Sequence, residues 1–169
     1  IVIFGAGSAG TGVAAQIQFA LRKSGLSAQD ANAKFWFVDI DGLLIDDMQL
    51  THEQKPYARK RDEVKAWSVK NQENITLEEV INNVKPTVLI GCSAVSGAFT
   101  QTVVQAMAKY VTHPIIFPLS NPISQCEALP ADILNWTNGA AIVATGSPFD
   151  NVIINGEMHS ISQCNNSYI

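Results

Sequence analysis

The chain has 169 residues, of which 47% are hydrophobic and 15% are charged. A chain of this length suits one domain that buries roughly 68–70% of the surface its unfolded form exposes. The formal charge of -4 and the pI near 5.2 argue against a nucleic-acid-binding surface. No apolar run approaches the ~20 residues of a membrane-spanning helix. Because the chain lacks an initiator Met and Ile1 already belongs to a predicted strand, we expect residues 1–169 to be one domain of a longer protein.

A glycine-rich turn lies at the start of the chain. The four apolar residues Ile1–Phe4 predict a buried strand of a parallel sheet, and a helical segment follows the turn. Gly5, Gly7 and Gly10 have the spacing that binds the pyrophosphate of a dinucleotide. Gly5 permits the tight turn, Gly7 admits the phosphates, and Gly10 brings the helix close to the strand. The alternative is a glycine-rich turn that binds no ligand.

An acidic residue ends the second predicted strand. The first helix is expected to end near Gly25, and Ser27–Lys34 adds a short helical piece before the strand Phe35–Val38. Asp39 follows that strand, where a carboxylate accepts hydrogen bonds from the adenosine ribose. A 2′-phosphate beside Asp39 would meet like charge, so the sequence favours NAD over NADP.

A basic stretch follows. It contains Lys55, Arg59, Lys60, Arg61, Lys65 and Lys70. A solvated face is the simpler interpretation, and a phosphate-binding patch that weakens the preference for NAD is the alternative.

The rest of the chain alternates between helices and strands. Thr76 and Glu79 form a capping box that opens a helix. Further helices are predicted at 100–110 and 130–136, strands at 87–90, 114–117 and 140–145, and a hairpin around Asn155-Gly156. This alternation predicts an α/β fold with a doubly wound, mostly parallel, Rossmann-type sheet and helices on both faces.

Two loops follow predicted strands at the edge where parallel sheets bind ligands. The first, Gly91–Gly97, is built of small residues, and we expect Ser93 and Ala94 to contact the cofactor. The second carries Asn121 before Pro122, which favours an extended backbone at Asn121. On its own, Asn121 is more often a turn residue than a ligand contact.

The cysteines and histidines suggest no site of their own. Cys92, Cys126 and Cys164 are widely spaced, which favours reduced thiols in a cytoplasmic protein over a disulfide framework or a zinc site. The three histidines have no partner nearby in sequence, so we expect surface or structural roles for them.

Six stretches together resemble malic enzyme, specifically the NAD-binding domain of bacterial NAD-preferring members. They are Ile3–Gly10, Val38–Leu44, Lys85–Gly91, Pro118–Pro122, Ala144–Phe149 and Gln163–Ile169, and they cover the chain in the family's order. The resemblance implies the oxidation of (S)-malate to pyruvate and CO2, with NAD as hydride acceptor and Mg2+ or Mn2+ in the full-length enzyme.

The resemblance also implies roles for individual residues. Gly7, Ser8, Ala9 and Gly10 would hold the pyrophosphate, and Asp39 the ribose. Asn121 would lie between the nicotinamide and malate, and Asn165 and Asn166 would bind the substrate. In the family, the catalytic residues and the metal-binding carboxylates belong to a part of the full-length protein that precedes this domain. We therefore expect no catalytic residue and no metal ligand within 1–169.

Two other functions remain open. A non-catalytic NAD-sensing module would bind the cofactor without using the asparagines. The cofactor domain of another hydroxyacid or amino-acid dehydrogenase would share the glycine turn, but has no reason to carry both asparagine-containing runs. We further expect a cytoplasmic homo-oligomer that binds malate and pyruvate and neither nucleic acid nor a membrane.

Overall fold

A computed structural model describes residues 1–165 of the chain. Its strands are β1 (Val2–Phe4), β2 (Trp36–Asp39), β3 (Gly42–Leu43), β4 (Val88–Gly91), β5 (Ile115–Pro118), β6 (Ile142–Thr145), β7 (Val152–Ile154), β8 (Glu157–His159) and β9 (Ser162–Gln163). Its helices are α1 (Ser8–Lys23), α2 (Ala28–Asn32), α3 (Arg61–Val64), α4 (Leu77–Val84), α5 (Gln101–Tyr110) and α6 (Pro130–Trp136), and short 3-10 turns cover Lys55–Tyr57 and Ile123–Gln125.

Seven of the strands form one sheet in the order β3-β2-β1-β4-β5-β6-β9. All neighbouring pairs are parallel except β2 and β3, which are antiparallel. The strand order changes direction between β1 and β4, and ligands of doubly wound sheets bind outside the carboxyl ends of the strands at such a point. The loops after β1, β4, β5 and β6, together with residues 164–165 after β9, therefore share one edge of the sheet.

Two buried clusters lie on opposite faces of the sheet, because successive strand residues point to opposite sides. Ile3 and Phe37 pack in one cluster with Val13 and Ala14 of α1. The neighbours of Ile3 in β1, together with residues of α4, α5 and α6, form the other cluster. The expected Rossmann-type fold with helices on both faces is confirmed.

Local signals placed most element ends correctly. Ser27 caps α2 by accepting from the backbone N–H of Asp30 at 3.0 Å, and Thr76 and Glu79 form the predicted capping box of α4. The hairpin β7–β8 turns at Asn155 and Gly156, whose φ angles of 53° and 84° suit a two-residue turn with positive φ at both positions.

Three short elements were absent from the sequence-based prediction. They are β3, α3 and β9, each of two to four residues. Gln163 pairs with Thr145, so β9 forms the edge of the sheet beside β6. Elements this short lack the period of alternation that reveals longer strands and helices.

Within residues 1–165, no helix combines the length and the apolar character needed to cross a membrane.

Candidate functional site

The turn between β1 and α1 brings backbone unusually close to backbone. Gly5 has a φ of +106°, and a Cβ there would lie 2.5 Å from the carbonyl carbon of Cys92. A Cβ on Gly10 would lie 2.0 Å from the carbonyl oxygen of Gly5. Both contacts are below any normal separation, so only glycine allows helix α1 to begin this near the sheet. The structural roles predicted for Gly5 and Gly10 match this geometry.

Gly7 has a different environment. It is exposed, and a Cβ built on it would meet no atom of the described residues within 4 Å. Its φ of -74° is open to any residue, so neither backbone strain nor crowding within the described part of the chain requires glycine there. A ligand that approaches the backbone at Gly7 would require it.

The start of α1 is suited to an anion. Its first four N–H groups, counted from the N-cap residue Gly7, have no partner within the helix, as at any helix N-terminus. No described side chain caps the helix at Gly7, and the first turn contains no acidic residue. The positive end of the helix dipole is therefore uncompensated at Gly7, Ser8, Ala9 and Gly10, which suits a phosphate group. The residues present thus fit a dinucleotide pyrophosphate.

A glutamine side chain supports this turn from outside the sheet. The Nε2 of Gln54 donates to the carbonyl oxygen of Ala6 at 3.0 Å, although the two residues lie 48 positions apart. The Oε1 of Gln54 accepts from the backbone N–H of Thr51 at 3.0 Å. This contact holds the 51–57 segment against the glycine turn.

Asp39 lies beside the turn at the carboxyl end of β2. Its Oδ2 accepts from the backbone N–H of Ala6 at 3.0 Å, and its Oδ1 accepts from the N–H of Ile40 at 2.9 Å. Each carboxylate oxygen can accept a further hydrogen bond, so the group can still bind a pair of hydroxyls. The side chain is half-buried and directed by the backbone rather than by a cation.

A shallow groove of about 280 Å³ adjoins Asp39. Its lining includes Ile40 and Val95, whose side chains are 79% and 41% exposed. Phe4 and Leu77 also line it. Exposed apolar side chains on both sides of a slot next to a carboxylate suit a flat ring attached to a sugar.

The loop after β4 is held by a buried acid. Glu127 has no exposed surface, and its Oε1 accepts from both the backbone N–H and the hydroxyl of Ser93, each at 2.8 Å. Next to Ser93, Ala94 is exposed with a φ of 57°, a left-handed conformation that is uncommon for a residue with a side chain. The two predicted cofactor contacts, Ser93 and Ala94, thus lie at the ligand-binding edge.

The same acid holds the loop after β5. The Ser120 hydroxyl donates to Oε1 of Glu127, and the Ser120 backbone N–H donates to Oε2 at 3.3 Å. The Ser120 hydroxyl also accepts from the backbone N–H of Ala94 at 2.9 Å.

Burial, and secondarily the charge of Glu127, raise the pKa of the Cys92 thiol to about 12, so Cys92 is a neutral thiol at physiological pH.

Asn121 lies on the exposed surface of the site, in the loop after β5. Its Oδ1 accepts a hydrogen bond from the hydroxyl of Ser147 in the loop after β6. Its Nδ2 points toward the carbonyl oxygen of Leu119 at 3.4 Å. Gly146 leaves room for this arrangement, because a Cβ there would lie 2.7 Å from Nδ2 of Asn121. The amide orientation is thereby set, with the Nδ2 group free to donate a second hydrogen bond.

Asn165 shares this edge of the sheet but lies farther along it. The Gln163 side chain before it donates to the carbonyl oxygen of Gly146 at 3.1 Å, and the N–H of Cys164 donates to Thr145 at 2.8 Å. These bonds bring Asn165, which is half-buried, to the loop that carries Ser147. The other predicted substrate-binding residue, Asn166, lies outside the described residues.

Ion pairs occupy much of the basic stretch. Arg61 pairs with Asp47 at 2.7 Å, Lys65 pairs with Asp62 at 2.7 Å, and Arg59 pairs with Glu63. The hydrogen bond from Arg61 lowers the pKa of the Asp47 carboxyl. These contacts are internal to the segment 47–65.

Metal-binding side chains do not gather in the described part of the chain. Among residues 1–165, no three His, Cys, Asp or Glu side chains come together in a way that could hold a metal ion. The residues therefore do not fit a divalent cation by themselves. Cys92, Cys126 and Cys164 form no disulfide with one another.

Sequence reasoning missed Glu127, Ser120 and Ser147 as parts of this site, and it considered Gln54 only as an alternative determinant of cofactor choice. One signal was available for Glu127, which is an isolated charge inside the otherwise uncharged stretch 111–131. Charged residues are almost never fully buried unless their hydrogen bonds are satisfied. The other three are ordinary polar residues in loops, and their contacts join positions 26 to 48 residues apart.

Comparison with known proteins identifies a family. The family model described as "Malic enzyme, NAD binding domain" matches residues 1–169. NAD-dependent malic enzyme 3 of Bacillus subtilis is 49% identical over 171 residues, and the NAD-dependent malic enzyme of Shewanella woodyi is 49% identical over 170 residues. Each alignment covers 100% of this chain and 30% of the relative, so the chain spans less than a third of the length of these enzymes.

Proposed function

This chain belongs to the malic enzyme family, as its NAD-binding domain, and on that premise we propose that it binds NAD for the oxidation of (S)-malate to pyruvate and CO2. The observation that carries the proposal is the shared edge of the sheet. The exposed backbone at Gly7 and the oriented amide of Asn121 follow the carboxyl ends of the parallel strands β1 and β5. Three strands, β1, β4 and β5, span the distance between them.

The proposed position of the cofactor follows the site from β2 to β5. The pyrophosphate lies on the N–H groups of Gly7, Ser8, Ala9 and Gly10 at the start of α1. The adenosine ribose binds Asp39, and the adenine enters the groove between Ile40 and Val95. The nicotinamide half then passes Ser93 and Ala94 and reaches Asn121. Asp39 supports NAD over NADP, since a 2′-phosphate there would face its carboxylate.

When bound, NAD supplies the acceptor for the hydride that leaves C2 of malate. The residues of this chain supply position and orientation. Asn121 can donate from Nδ2 to malate or to the nicotinamide amide, and Ser147 holds its Oδ1. Asn165 and Asn166 are proposed to bind the malate carboxylate or hydroxyl. Holding both reactants in one geometry removes much of the entropic barrier to the transfer.

The other steps are assigned to a different part of the full-length enzyme. The described residues provide no ligand set for Mg2+ or Mn2+. We therefore assign the divalent metal and the acid–base residues to an N-terminal part of the same protein, as in the family. A cytoplasmic homo-oligomer is part of the same proposal, supported by the three cysteines, which form no disulfide with one another, as expected in a reducing compartment.

The test uses the full-length enzyme and the exposed Asn121. Replacing Asn121 with Ala should lower kcat for malate oxidation by about a hundredfold, the loss typical of removing one oriented donor in an active site. Asn82→Ala is the matched control, since Asn82 is exposed on α4. NADH formation is followed with malate, NAD and Mn2+. Unchanged turnover in Asn121→Ala would favour a non-catalytic NAD-sensing module, and turnover only with another hydroxyacid or an amino acid would favour a different dehydrogenase.

A further inference from the structure

We propose that Glu127 is a positioning residue that shapes the nicotinamide half of the site by joining the loop after β4 to the loop after β5. This inference rests on the proposed function, because it concerns how the chain holds NAD. Glu127 does not lie on the exposed surface of the site. It acts through Ser93, Ala94 and Ser120, and these residues with Glu127 are called the Glu127 network.

The network contains four hydrogen bonds to one carboxylate. Two come from Ser93, through its N–H and hydroxyl at 2.8 Å each, and two come from Ser120, through its hydroxyl and its N–H. Ser93 lies 34 residues before Glu127 and Ser120 lies 7 residues before it, so the acid joins two separate loops. No ion pair to Glu127 is found among residues 1–165, and donors from the loops surround the carboxylate instead.

The network sets the backbone that faces the ligand. The Ser120 hydroxyl donates to Glu127 and accepts from the N–H of Ala94, which has a φ of 57°. A non-glycine residue holds this conformation only when its surroundings stabilise it. The N–H of Ala94 is bound to Ser120, and Asn121 follows Ser120 directly. A change at Glu127 is therefore transmitted to Ala94 and Asn121 together.

The sequence makes room for the carboxylate. A Cβ on Gly91 would lie 2.5 Å from Cδ and 2.6 Å from Oε2 of Glu127. Gly91 ends β4 with an ordinary strand conformation, so this close approach is the reason for glycine there. A Gly91→Ala substitution would displace the flexible end of Glu127 while leaving its charge in the protein.

An ionised carboxylate fits this position because it only accepts hydrogen bonds. Glu127→Gln keeps the size of the side chain but puts an NH2 group in place of one carboxylate oxygen. At the Oε2 position this group faces the backbone N–H of Ser120, and at the Oε1 position it faces the backbone N–H of Ser93, so one backbone donor loses its acceptor in either orientation. The nicotinamide half of the site is then distorted, whereas the glycine turn and Asp39 have no contact with Glu127 in the hydrogen-bond network.

The test compares two ligands in the full-length enzyme by calorimetric titration. NAD occupies the whole proposed site. AMP occupies only the glycine turn, Asp39 and the groove at Ile40 and Val95, and of these described residues only Val95 is hydrogen-bonded to the Glu127 network, through its N–H bond to the Ser93 hydroxyl at 3.1 Å. We expect Glu127→Gln and Gly91→Ala each to weaken NAD binding by about tenfold, which equals about 1.4 kcal/mol. AMP should bind within twofold of the wild type in both variants. Glu157→Gln is the control, because Glu157 is exposed on the β7–β8 hairpin.

The remaining outcomes overturn the inference. Unchanged NAD affinity in both variants would show that the two loops keep their positions without the Glu127 network. An equal loss of NAD and AMP affinity would show that Glu127 maintains the fold in general and not the nicotinamide half. A wild-type enzyme that binds neither ligand would refute the proposed function itself, which is distinct from either result in the variants.

Discussion

Gly7→Ala is the substitution that best separates ligand binding from folding at the glycine turn. The added Cβ would meet no described atom within 4 Å, and the backbone at Gly7 has φ -74° and ψ -173°, which alanine adopts readily. The folded chain should therefore accept the methyl group. A pyrophosphate that approaches the backbone at this position should not.

The magnitudes follow from the position of Gly7 at the helix N-cap. Alanine is a poorer N-cap than glycine, by about 0.5–1 kcal/mol. In a domain of this size, such a change lowers Tm by only about 1–4 °C. Loss of close contact between the phosphates and the N–H groups should weaken NAD binding by at least about tenfold, or about 1.4 kcal/mol. The effect on binding thus exceeds the effect on stability.

Gly12→Ala provides the matched control. Gly12 lies in α1 five residues later, is exposed, and would likewise meet no described atom with a Cβ. Replacing a glycine inside a helix should stabilise the protein by about 1 kcal/mol without changing NAD affinity. The assay is titration of NAD into each full-length variant, with thermal unfolding alongside. Equal NAD affinity in Gly7→Ala and the wild type would refute the placement of the pyrophosphate.

Three further predictions concern other residues of the site. Asp39→Ala should raise the affinity for NADP relative to NAD by about tenfold in paired titrations, because the carboxylate that repels a 2′-phosphate is gone. An unchanged ratio of the two affinities would show that cofactor choice is determined elsewhere, for instance at Gln54. Ser147→Ala should lower kcat for malate by about tenfold while the Kd of NAD stays the same, since Asn121 loses the hydrogen bond that orients its amide. A kcat equal to that of the wild type would show that other contacts orient the amide. The Cys92 pKa is raised from 9.0 to about 12, so the unfolded chain binds fewer protons between these values and stability falls as pH rises through them. Cys92→Ala should remove about 1 kcal/mol of the decline in unfolding free energy between pH 8 and pH 10, as measured by urea unfolding, and an identical decline would contradict the burial of the thiol.

Most of the fold was predictable from local patterns in the sequence. The helix caps at Ser27 and Thr76 and the turn at Asn155 depend on neighbours within three or four residues, so the sequence displays them directly. Strand β9 depends instead on pairing with Ala144 and Thr145, each 18 residues away from its partner along the chain. Its two polar residues have no local preference that marks them as a strand.

The candidate site divides in the same way. The glycine turn and Asp39 were predicted because their function requires particular residue types at fixed spacing after a strand. Asn121 was assigned only through the family resemblance, since an asparagine before proline is ordinarily a turn residue. The isolated charge of Glu127 is visible in the sequence, but its role is not, because that role depends on serines brought together by the folding of two separate loops.

A crystal structure of the full-length enzyme with NAD bound tests the central claim most directly. The account predicts the pyrophosphate within hydrogen-bonding distance of the N–H groups from Gly7 to Gly10, with the nicotinamide beside Asn121. A pyrophosphate bound elsewhere, or a nicotinamide directed away from the loop after β5, would contradict it.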